Sequence, residues 1–468
     1  MHERSEAADF PDGRSISVSL SGGGHRAALF ALGALLYLSD AGKNREVTSI
    51  ASVSGGSLTN GHLAQALDYR VASKAEVDAW ASRLAKRFAS GGTLFAAPIT
   101  WLYLALLALV MLAAVVGVWW LPVPIWARVL LFFAGLFVVG LVLQLRGAVC
   151  GRAFAKTLFS PSGKPTRLDE INTTIDHVLC ATDLHAGEHV YFSGGFVCTY
   201  RFGFGEPGDL PLHTAVQASA AYPGGMPARW LPTARHRFQQ PGDEAAAKTR
   251  YLVLADGGVY DNMGDQWAQG LDDRKRRWGS LAGRLQAPDE LIVVNSSAGM
   301  EFTSAASLRI PLIGEFTTLL RDKSVLYDNG TSVRREALVA RFRLAELRDT
   351  GLRGALVHIP QTPYVVPDGF ARDTDHPERA ARARAALDRL GDTDASRREW
   401  KAIAEQNSRV GTGLSALGND VAARLMRHAY VLAMVNLHVI LGYPLLDLPE
   451  PTRFEALLAD QPARPAPQ

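Results

Sequence analysis

The 468-residue sequence is poor in cysteine and has no excess of charge of either sign. Its three cysteines form no C-x-x-C pair and are too few for a disulfide framework, which fits a reducing compartment. Lysine and arginine number 49 against 46 aspartates and glutamates, giving a net charge of +3. This balance lacks the strongly basic character of nucleic-acid-binding proteins, so we expect no nucleic-acid partner.

Several familiar signatures are also missing. The sequence contains no G-x-x-x-x-G-K-[ST] motif and no well-placed G-x-G-x-x-G motif, so we expect no nucleotide site. The charged first residues lack the apolar core of a signal peptide, so no cleavable signal is expected. No internal repeat is present. These absences leave a globular or membrane-associated protein of ordinary composition.

Two long apolar runs are the first positive feature. They cover residues 99–121 and 129–145, and a short turn containing two prolines separates them. Each approaches the roughly 20 residues that cross a bilayer as a helix. Trp101, Trp119 and Trp120 lie near the ends of the first run, as in the interfacial belts of membrane proteins. The pattern predicts a transmembrane helical hairpin over 98–146, and the alternative is a buried helical hairpin in a soluble core.

The charges around these runs predict their orientation. The flanks carry Lys86, Arg87, Arg146, Arg152 and Lys156, whereas the turn carries only Arg128. By the positive-inside rule, both flanks face the cytoplasm. The parts of the chain before and after the hairpin then lie on the same side and can contribute to one site.

Three glycine-containing turns are the second positive feature. They lie in residues 17–26 (SVSLSGGGHR), 50–57 (IASVSGGS) and 254–262 (LADGGVYDN), each at the end of an apolar, β-like run. The first two predict a strand, a tight turn and a helix. Further alternation of strand-like and helix-like segments predicts an α/β sheet with helices on both faces.

The second turn offers a candidate nucleophile. Ser54 follows a β-branched run and precedes two glycines, as a serine on a strained strand-to-helix elbow must. Ser52 and Ser57 are competing candidates, but Ser52 lies within the predicted strand and Ser57 lies a turn into the helix. A serine–glycine turn can also be a simple tight turn or helix cap.

The other two turns offer the remaining groups. Gly22, Gly23 and Gly24 allow the backbone to approach a reacting carbonyl and present N–H donors to an oxyanion. Arg26 either binds an anionic head group or braces this turn. Asp256 ends an apolar run, and burial beside a serine hydroxyl would make it a base; alternatively it forms an Asx turn.

The sequence offers few alternatives to Asp256 as the base and no clear catalytic histidine. Asp261, Asn262 and Asp265 follow Asp256, but none ends a strand. None of the histidines follows the aspartate in a recognisable catalytic context, so the sequence does not require a Ser-His-Asp triad.

Taken together, the turns resemble those of the patatin-like phospholipase family. That family has, in order, a G-G-G-x-R-G oxyanion turn, a G-x-S-x-G elbow and a D-G-G/A turn. Gly22–Gly24 with Arg26 match the first motif, Ser54 with Gly56 the second, and residues 256–258 the third. Residues 181–188 and 218–224 resemble intervening family segments. Ala27 and Ser52 depart from the family, which has glycine at both positions.

The resemblance implies a function and an architecture. It implies a serine lipid acyl hydrolase with a Ser54–Asp256 dyad, an oxyanion hole at Gly22–Gly24, a membrane lipid as substrate, and no metal or organic cofactor. It also implies a patatin-like three-layer αβα domain, here with an inserted transmembrane hairpin and the catalytic domain on the cytoplasmic side. The alternatives are a catalytically silent membrane scaffold that binds lipid, or a hydrolase or acyltransferase acting on soluble thioesters or peptides.

These inferences divide the chain into segments. We expect a flexible N-terminus (1–13), the first part of the domain (14–97), the hairpin (98–146), the second part (147–300), a C-terminal α-rich extension packed on the core (301–448) and a disordered tail (449–468). Within the extension, residues 421–441 are apolar but carry Arg424, Arg427 and His428 in their first turns. We therefore predict a core helix there and not a third span.

Overall fold

The computed structural model describes residues 13–239, 244–277, 285–300, 313–348 and 350–459. The strands are β1 (Ile16–Leu20), β2 (Val47–Val53), β3 (Asp176–Asp183), β4 (Glu188–Phe192), β5 (Val197–Thr199), β6 (Gly203–Gly205), β7 (Arg229–Pro232), β8 (Tyr251–Asp256), β9 (Glu290–Asn295) and β10 (Arg353–His358). The expected N-terminal segment, apart from Gly13, lies outside the described residues.

Sixteen α-helices lie within the described residues. They are α1 (Gly24–Asp40), α2 (Gly55–Ala66), α3 (Lys74–Lys86), α4 (Pro98–Trp120), α5 (Ile125–Gln144), α6 (Arg146–Thr157), α7 (Leu212–Ser219), α8 (Glu244–Lys248), α9 (Gln266–Gln269), α10 (Leu271–Arg277), α11 (Ile313–Arg348), α12 (Val365–Phe370), α13 (Pro377–Leu390), α14 (Asp394–Ser408), α15 (Asn419–Leu441) and α16 (Pro451–Leu458).

The strands form one mixed sheet in the order β10-β9-β1-β2-β3-β4-β5-β6, with β8 pairing with β3 and β7. The strands from β10 to β3 are parallel, and the remaining pairs are antiparallel. A parallel sheet buries both faces, because its connecting helices cover them. The five residues of β1 and the seven of β2 are accordingly all buried.

Alternate residues of β9 show that both faces are covered. Ile292 and Val294 pack into the largest apolar cluster, which includes residues of α1, α2 and α15. Leu291 and Val293 point the other way, into a cluster with Leu338 of α11. Since alternate residues of a strand point to opposite faces, helices cover both sides of the sheet, as the sequence predicts.

Helix α15 is the core helix predicted for residues 421–441. It packs against α1, and Gly33 of α1 lies so close that an added Cβ would be 2.2 Å from the Met426 carbonyl oxygen. His428 is fully buried; its Nε2 donates to the Gln361 carbonyl at 3.0 Å, and its Nδ1 accepts from the Asn407 side-chain amide at 3.2 Å. Arg424 donates to Asn407 Oδ1 and Arg427 to the Pro449 carbonyl, so the polar residues predicted to mark this helix all have partners inside the protein.

Helices α4 and α5 have the opposite environment. They pack against each other, with Gly135 close to Ala114, and most of their remaining apolar surface is exposed, although Tyr103 and Val142 are buried against Val149 of α6. Trp120 is 83% exposed and Leu102 is 70% exposed. Both helices are long and apolar enough to cross a membrane. The alternative of a hairpin buried in the protein core is therefore wrong.

One expectation about the remaining segments needs correction. The tail expected to be disordered contains α16, which begins at Pro451 and buries Phe454 and Leu458; residues 460–468 lie outside the described residues. Elsewhere, the polar segment 233–250 contains α8, and the charged stretch 376–400 is divided between α13 and α14 and buries Trp400.

Candidate active site

Strand β3 brings the serine and aspartate turns together. One edge of β3 pairs with β2, where Val53 lies opposite Cys180. Further along β3, Asp256 of β8 lies opposite Ala181. Since β4 pairs with the other edge of β3 over these residues, β8 lies on the same edge as β2. Strand β2 thus ends next to the point where β8 ends. Ser54, which follows Val53, and Asp256 meet at this junction.

The backbone of Ser54 has the conformation of a strained elbow. Its φ is 50° and its ψ is −112°, and only one other described non-glycine residue has a positive φ. Such a conformation costs about 1–3 kcal/mol and persists only where the surroundings enforce it. Ser54 is partly exposed, whereas every other residue from 47 to 61 is buried. The elbow therefore presents one side chain to the outside.

The glycines after Ser54 permit the two turns to touch. A Cβ on Gly55 would lie 2.0 Å from the Gly24 carbonyl oxygen, and one on Gly56 would lie 2.6 Å from the Leu20 carbonyl oxygen. The Gly56 N–H donates to the Ser21 carbonyl at 3.2 Å. Since β1 and β2 are parallel neighbours, their carboxyl ends lie at one edge of the sheet, and only residues without a Cβ let the turns approach this closely.

The first turn supplies N–H groups at the start of α1. The Gly22 N–H donates to the Asn262 carbonyl at 2.9 Å and is therefore occupied, unlike the free donor that the sequence analysis expects. The N–H groups of Gly23 and Gly24 have no partner among the described residues. Gly23 has a φ of 134° and Gly24 a φ of 56°, conformations that favour glycine.

Gly55 is a further donor that the sequence analysis missed. Its N–H, at the start of α2, also has no partner within the described ranges. The residue after a nucleophilic serine commonly contributes to an oxyanion hole. Its position next to Gly24 becomes evident only once the two turns are packed together.

Asp256 is almost fully buried at the end of β8. Its Oδ1 accepts the Gly258 N–H at 2.8 Å, so it also forms the Asx turn considered above. Burial raises the pKa of Asp256 to about 6, and this shift is opposed by hydrogen bonds from the Gly258 N–H and the Ser54 side chain and by the charge of Lys323. A carboxylate with this pKa can accept a proton near neutral pH.

A buried polar layer supports the elbow from below. The Ser54 N–H donates to Ser219 Oγ at 3.1 Å, and Ser219 Oγ donates to the Cys180 carbonyl at 2.6 Å. Ser57 Oγ lies 2.8 Å from Ser219 Oγ and donates to Ser52 Oγ at 3.0 Å. Ser52, Ser57 and Ser219 are fully buried. This leaves Ser54 as the accessible serine of the elbow.

Arg26 faces the protein interior. Its Nη1 donates to the carbonyl oxygens of Ser408 and Val410 at 3.1 and 2.9 Å, and burial lowers its pKa to about 10. The His25 N–H donates to the Gly413 carbonyl at 3.1 Å. These bonds tie the first turn to the loop after α14. The arrangement favours the bracing alternative for Arg26 over contact with a head group.

The other acidic and histidine candidates have structural partners. Asp261 accepts the N–H groups of Met263 and Gln266, each at 3.0 Å. His189 is buried, with Nε2 3.9 Å from Asp261. Within the described ranges, no histidine has a hydrogen bond to Ser54 or Asp256, and no cluster of His, Cys, Asp or Glu has the composition of a metal site.

Helix α11 adds residues that the sequence analysis missed. Tyr327 donates a hydrogen bond to Asn262 Oδ1, and its hydroxyl lies 2.1 Å from where a Cβ on Gly258 would be. Lys323 Nζ donates to the Pro223 carbonyl at 2.6 Å and lies over the Tyr222 ring. No sequence motif indicates these contacts. Helix α11 begins more than fifty residues after the aspartate turn, and its sequence indicates a helix without indicating what the helix packs against.

The base of the hairpin lies close to this site. The Asp256 N–H donates to the Ala221 carbonyl at 3.0 Å, and residues 222–225 follow directly. Arg146, the first residue of α6, donates to the Gly224 carbonyl at 3.4 Å. The apolar hairpin and the aspartate turn are thus connected through one short loop.

The chain is similar to one described protein family and to two solved structures, among others. A family model described as patatin-like phospholipase matches residues 18–264. Human GIVD cytosolic phospholipase A2 is similar at 14% identity with a TM-score of 0.37, over 66% of this chain and 45% of that protein's chain. VipD from Legionella pneumophila is similar at 13% identity with a TM-score of 0.26, over 96% and 92% of the two chains. No curated protein matches the sequence.

Proposed function

The chain belongs to the patatin-like phospholipase family, and we propose that it is a membrane-anchored lipid acyl hydrolase that uses a Ser54–Asp256 dyad. The observation that carries this proposal is the meeting of the two residues on one edge of β3, with Ser54 partly exposed and Asp256 buried. The shift in the pKa of Asp256 to about 6 supports its role as the base.

In the proposed reaction, Asp256 accepts the proton of the Ser54 hydroxyl as Ser54 Oγ attacks the ester carbonyl. The carbon–oxygen bond to the leaving alcohol then breaks, and Asp256 returns its proton to that alcohol. A water molecule, deprotonated by Asp256, attacks the acyl carbonyl; the bond from that carbon to Ser54 Oγ breaks, Asp256 returns its proton to Ser54 Oγ, and the fatty acid is released. Every step uses the same carboxylate, so neither a histidine nor a cofactor is required.

The proposed oxyanion hole consists of the N–H groups of Gly23, Gly24 and Gly55. Gly22 shapes the turn, because its N–H is engaged by Asn262 and a Cβ there would lie 2.3 Å from Asn262 Oδ1. The donors lie at the starts of α1 and α2, where the helix dipoles favour negative charge. Preorganised donors of this kind stabilise the tetrahedral intermediate.

The proposed membrane anchor is the α4–α5 hairpin. Its outward apolar surface is unfavourable in water and favourable in a bilayer, and its basic flanks favour a cytoplasmic catalytic domain. The contact between Arg146 and the loop after Ala221 would hold the site close to the lipid surface. We therefore propose a membrane lipid ester as the substrate.

The proposal is tested with full-length protein in phosphatidylcholine nanodiscs. Fatty acid release from the nanodisc lipid is measured for wild type and for Ser54→Ala, together with hydrolysis of a short soluble ester and a soluble thioester. We expect wild type to release fatty acid and Ser54→Ala to release none. A folded wild type without any of these activities would indicate a silent scaffold, and turnover of the soluble thioester alone would indicate the soluble-substrate alternative.

A further inference from the structure

A cavity lies away from the dyad, in the part of the chain outside the family match. It has a volume of about 350 Å3 and lies between α11, β10, α12, α13 and α15. Phe342, Leu356, Val366 and Ile440 provide much of its apolar wall. Apolar cavities of this size favour apolar ligands, and this volume is near the lower end of the range for small-molecule sites.

The charged residues at this cavity are unequal in sign. Arg343, Arg353 and Arg379 line it, against one carboxylate, Glu346. Arg379 is 7% exposed and is paired with Glu346 and Asp373, but its Nε has no partner among the described residues. Arg379 is thus balanced by carboxylates, and the cavity combines apolar walls with the guanidinium groups of Arg343 and Arg353.

Arg343 provides the accessible cation. It is exposed on α11, and no hydrogen bond or ion pair engages it within the described ranges. Arg353, in contrast, lies 3.9 Å from Glu290. A guanidinium group matches a carboxylate with two parallel hydrogen bonds. An anionic group at the mouth of the cavity would thus reach Arg343 first.

We propose that this cavity binds one long-chain fatty acid, with the chain against the apolar wall and the carboxylate at Arg343. A ligand with a single chain and a single carboxylate matches both the limited volume and the one lining guanidinium, that of Arg343, which has no carboxylate partner within the described ranges. A diacyl phospholipid, with two chains and a large head group, does not. Binding does not require the dyad, although the idea that the ligand is the chain's own product rests on the proposed function.

The cavity and the candidate active site share one helix. Phe342 and Arg343 line the cavity from the second half of α11, and Lys323 and Tyr327 contact the active-site loops from its first half. The two sites are nevertheless separate, because none of the cavity-lining residues belongs to the three turns. Labelling experiments can therefore distinguish them by peptide.

The test uses full-length Ser54→Ala protein in nanodiscs and a palmitic acid that carries a photoreactive diazirine. After irradiation, adducts are mapped by peptide mass spectrometry. We expect adducts on peptides covering residues 339–346, 353–356 or 365–370. The methyl ester of the same probe should label these peptides about tenfold less, because it lacks the carboxylate.

Gly369 allows a matched size series at the cavity mouth. It lines the cavity, and a Cβ added there would meet nothing within 4 Å. We expect Gly369→Phe to lower the adduct yield about tenfold by occupying the space, and Gly369→Ala to leave it nearly unchanged. A thermal melt establishes that both variants are folded.

A surface variant keeps the proposal testable if Gly369→Phe does not fold. Arg343→Gln should lower the adduct yield about fivefold, whereas Arg348→Gln, at the end of the same helix and outside the cavity lining, should not. Adducts confined to the hairpin or the three turns, or equal labelling by acid and methyl ester, would overturn the proposal. Failure of the hydrolase assay would leave these adducts unchanged, so the two proposals fail independently.

Discussion

The exposed tip of the elbow and the polar layer beneath it contain the same residue type in different environments. Ser54 is partly exposed, has a strained backbone and lies next to a buried carboxylate. Ser52, Ser57 and Ser219 are fully buried and bonded to one another and to strand carbonyls. In this molecule, position and not residue type therefore separates a proposed nucleophile from a structural hydroxyl.

The largest expected difference between the exposed and the buried serines is in the effect of replacing each by alanine. Ser54→Ala should lower ester hydrolysis by at least about 10⁴-fold, because the described part of the chain places no other accessible hydroxyl beside Asp256. Its melting temperature should stay close to that of wild type. Ser57→Ala is the matched control, since it lies three residues away and should retain most of the activity. Equal losses in both variants would contradict the distinction.

The second prediction concerns the carboxylate. Asp256→Asn should lower hydrolysis by about 10³- to 10⁴-fold, because an amide cannot accept the serine proton. The amide oxygen can still accept the Gly258 N–H, so the variant should fold. Asp261→Asn, a buried aspartate that accepts the Met263 and Gln266 N–H groups and has no described contact with Ser54, is the control. Full activity of Asp256→Asn would exclude it as the base.

The third prediction is a pH dependence. Because the pKa of Asp256 is raised to about 6, kcat/KM for an uncharged ester should rise about tenfold per pH unit below that value and then level off. The folded state binds this proton more tightly than the unfolded state, so Asp256 reduces stability as pH rises from about 4 to about 6. An Asp256→Asn variant should lose this component in both measurements.

The smallest expected effect concerns the buried layer. Ser219→Ala removes the acceptor for the Ser54 N–H and the partner of Ser57. We expect a loss of about 1–3 kcal/mol in the free energy of unfolding, because buried polar groups lose their hydrogen bonds. The loss of activity should be far smaller than that of Ser54→Ala. Chemical denaturation and ester hydrolysis on the same samples measure both quantities.

Much of the site could be predicted because its signals are local. The apolar runs before the turns and the glycines within them indicate strands, elbows and close approach from sequence alone. The meeting of Ser54 and Asp256 could not be read locally, since it depends on β8 continuing the edge of β3 that β2 leaves free. The occupied N–H of Gly22 likewise depends on Asn262, which lies far along the chain.

Composition predicted the environment of some helices correctly and failed to predict others. Arg424 and His428 correctly distinguish the buried α15 from the exposed hairpin helices. Helix α16 was missed because proline dominates the composition of the tail, although Pro451 stands at the start of a helix, where proline is tolerated. The roles of Lys323 and Tyr327 had no sequence signal, because helical periodicity does not identify the partner of a helix.

Covalent labelling by a fluorophosphonate tests the Ser54–Asp256 dyad without the choice of a substrate, because the probe reacts with an activated serine. Wild type, Ser54→Ala, Ser57→Ala and Asp256→Asn are compared in nanodiscs, and the modified peptide is identified by mass spectrometry. The account predicts labelling of wild type and Ser57→Ala at Ser54, none of Ser54→Ala, and strongly reduced labelling of Asp256→Asn. Labelling that persists in Ser54→Ala, or folded wild type that is not labelled, would contradict it.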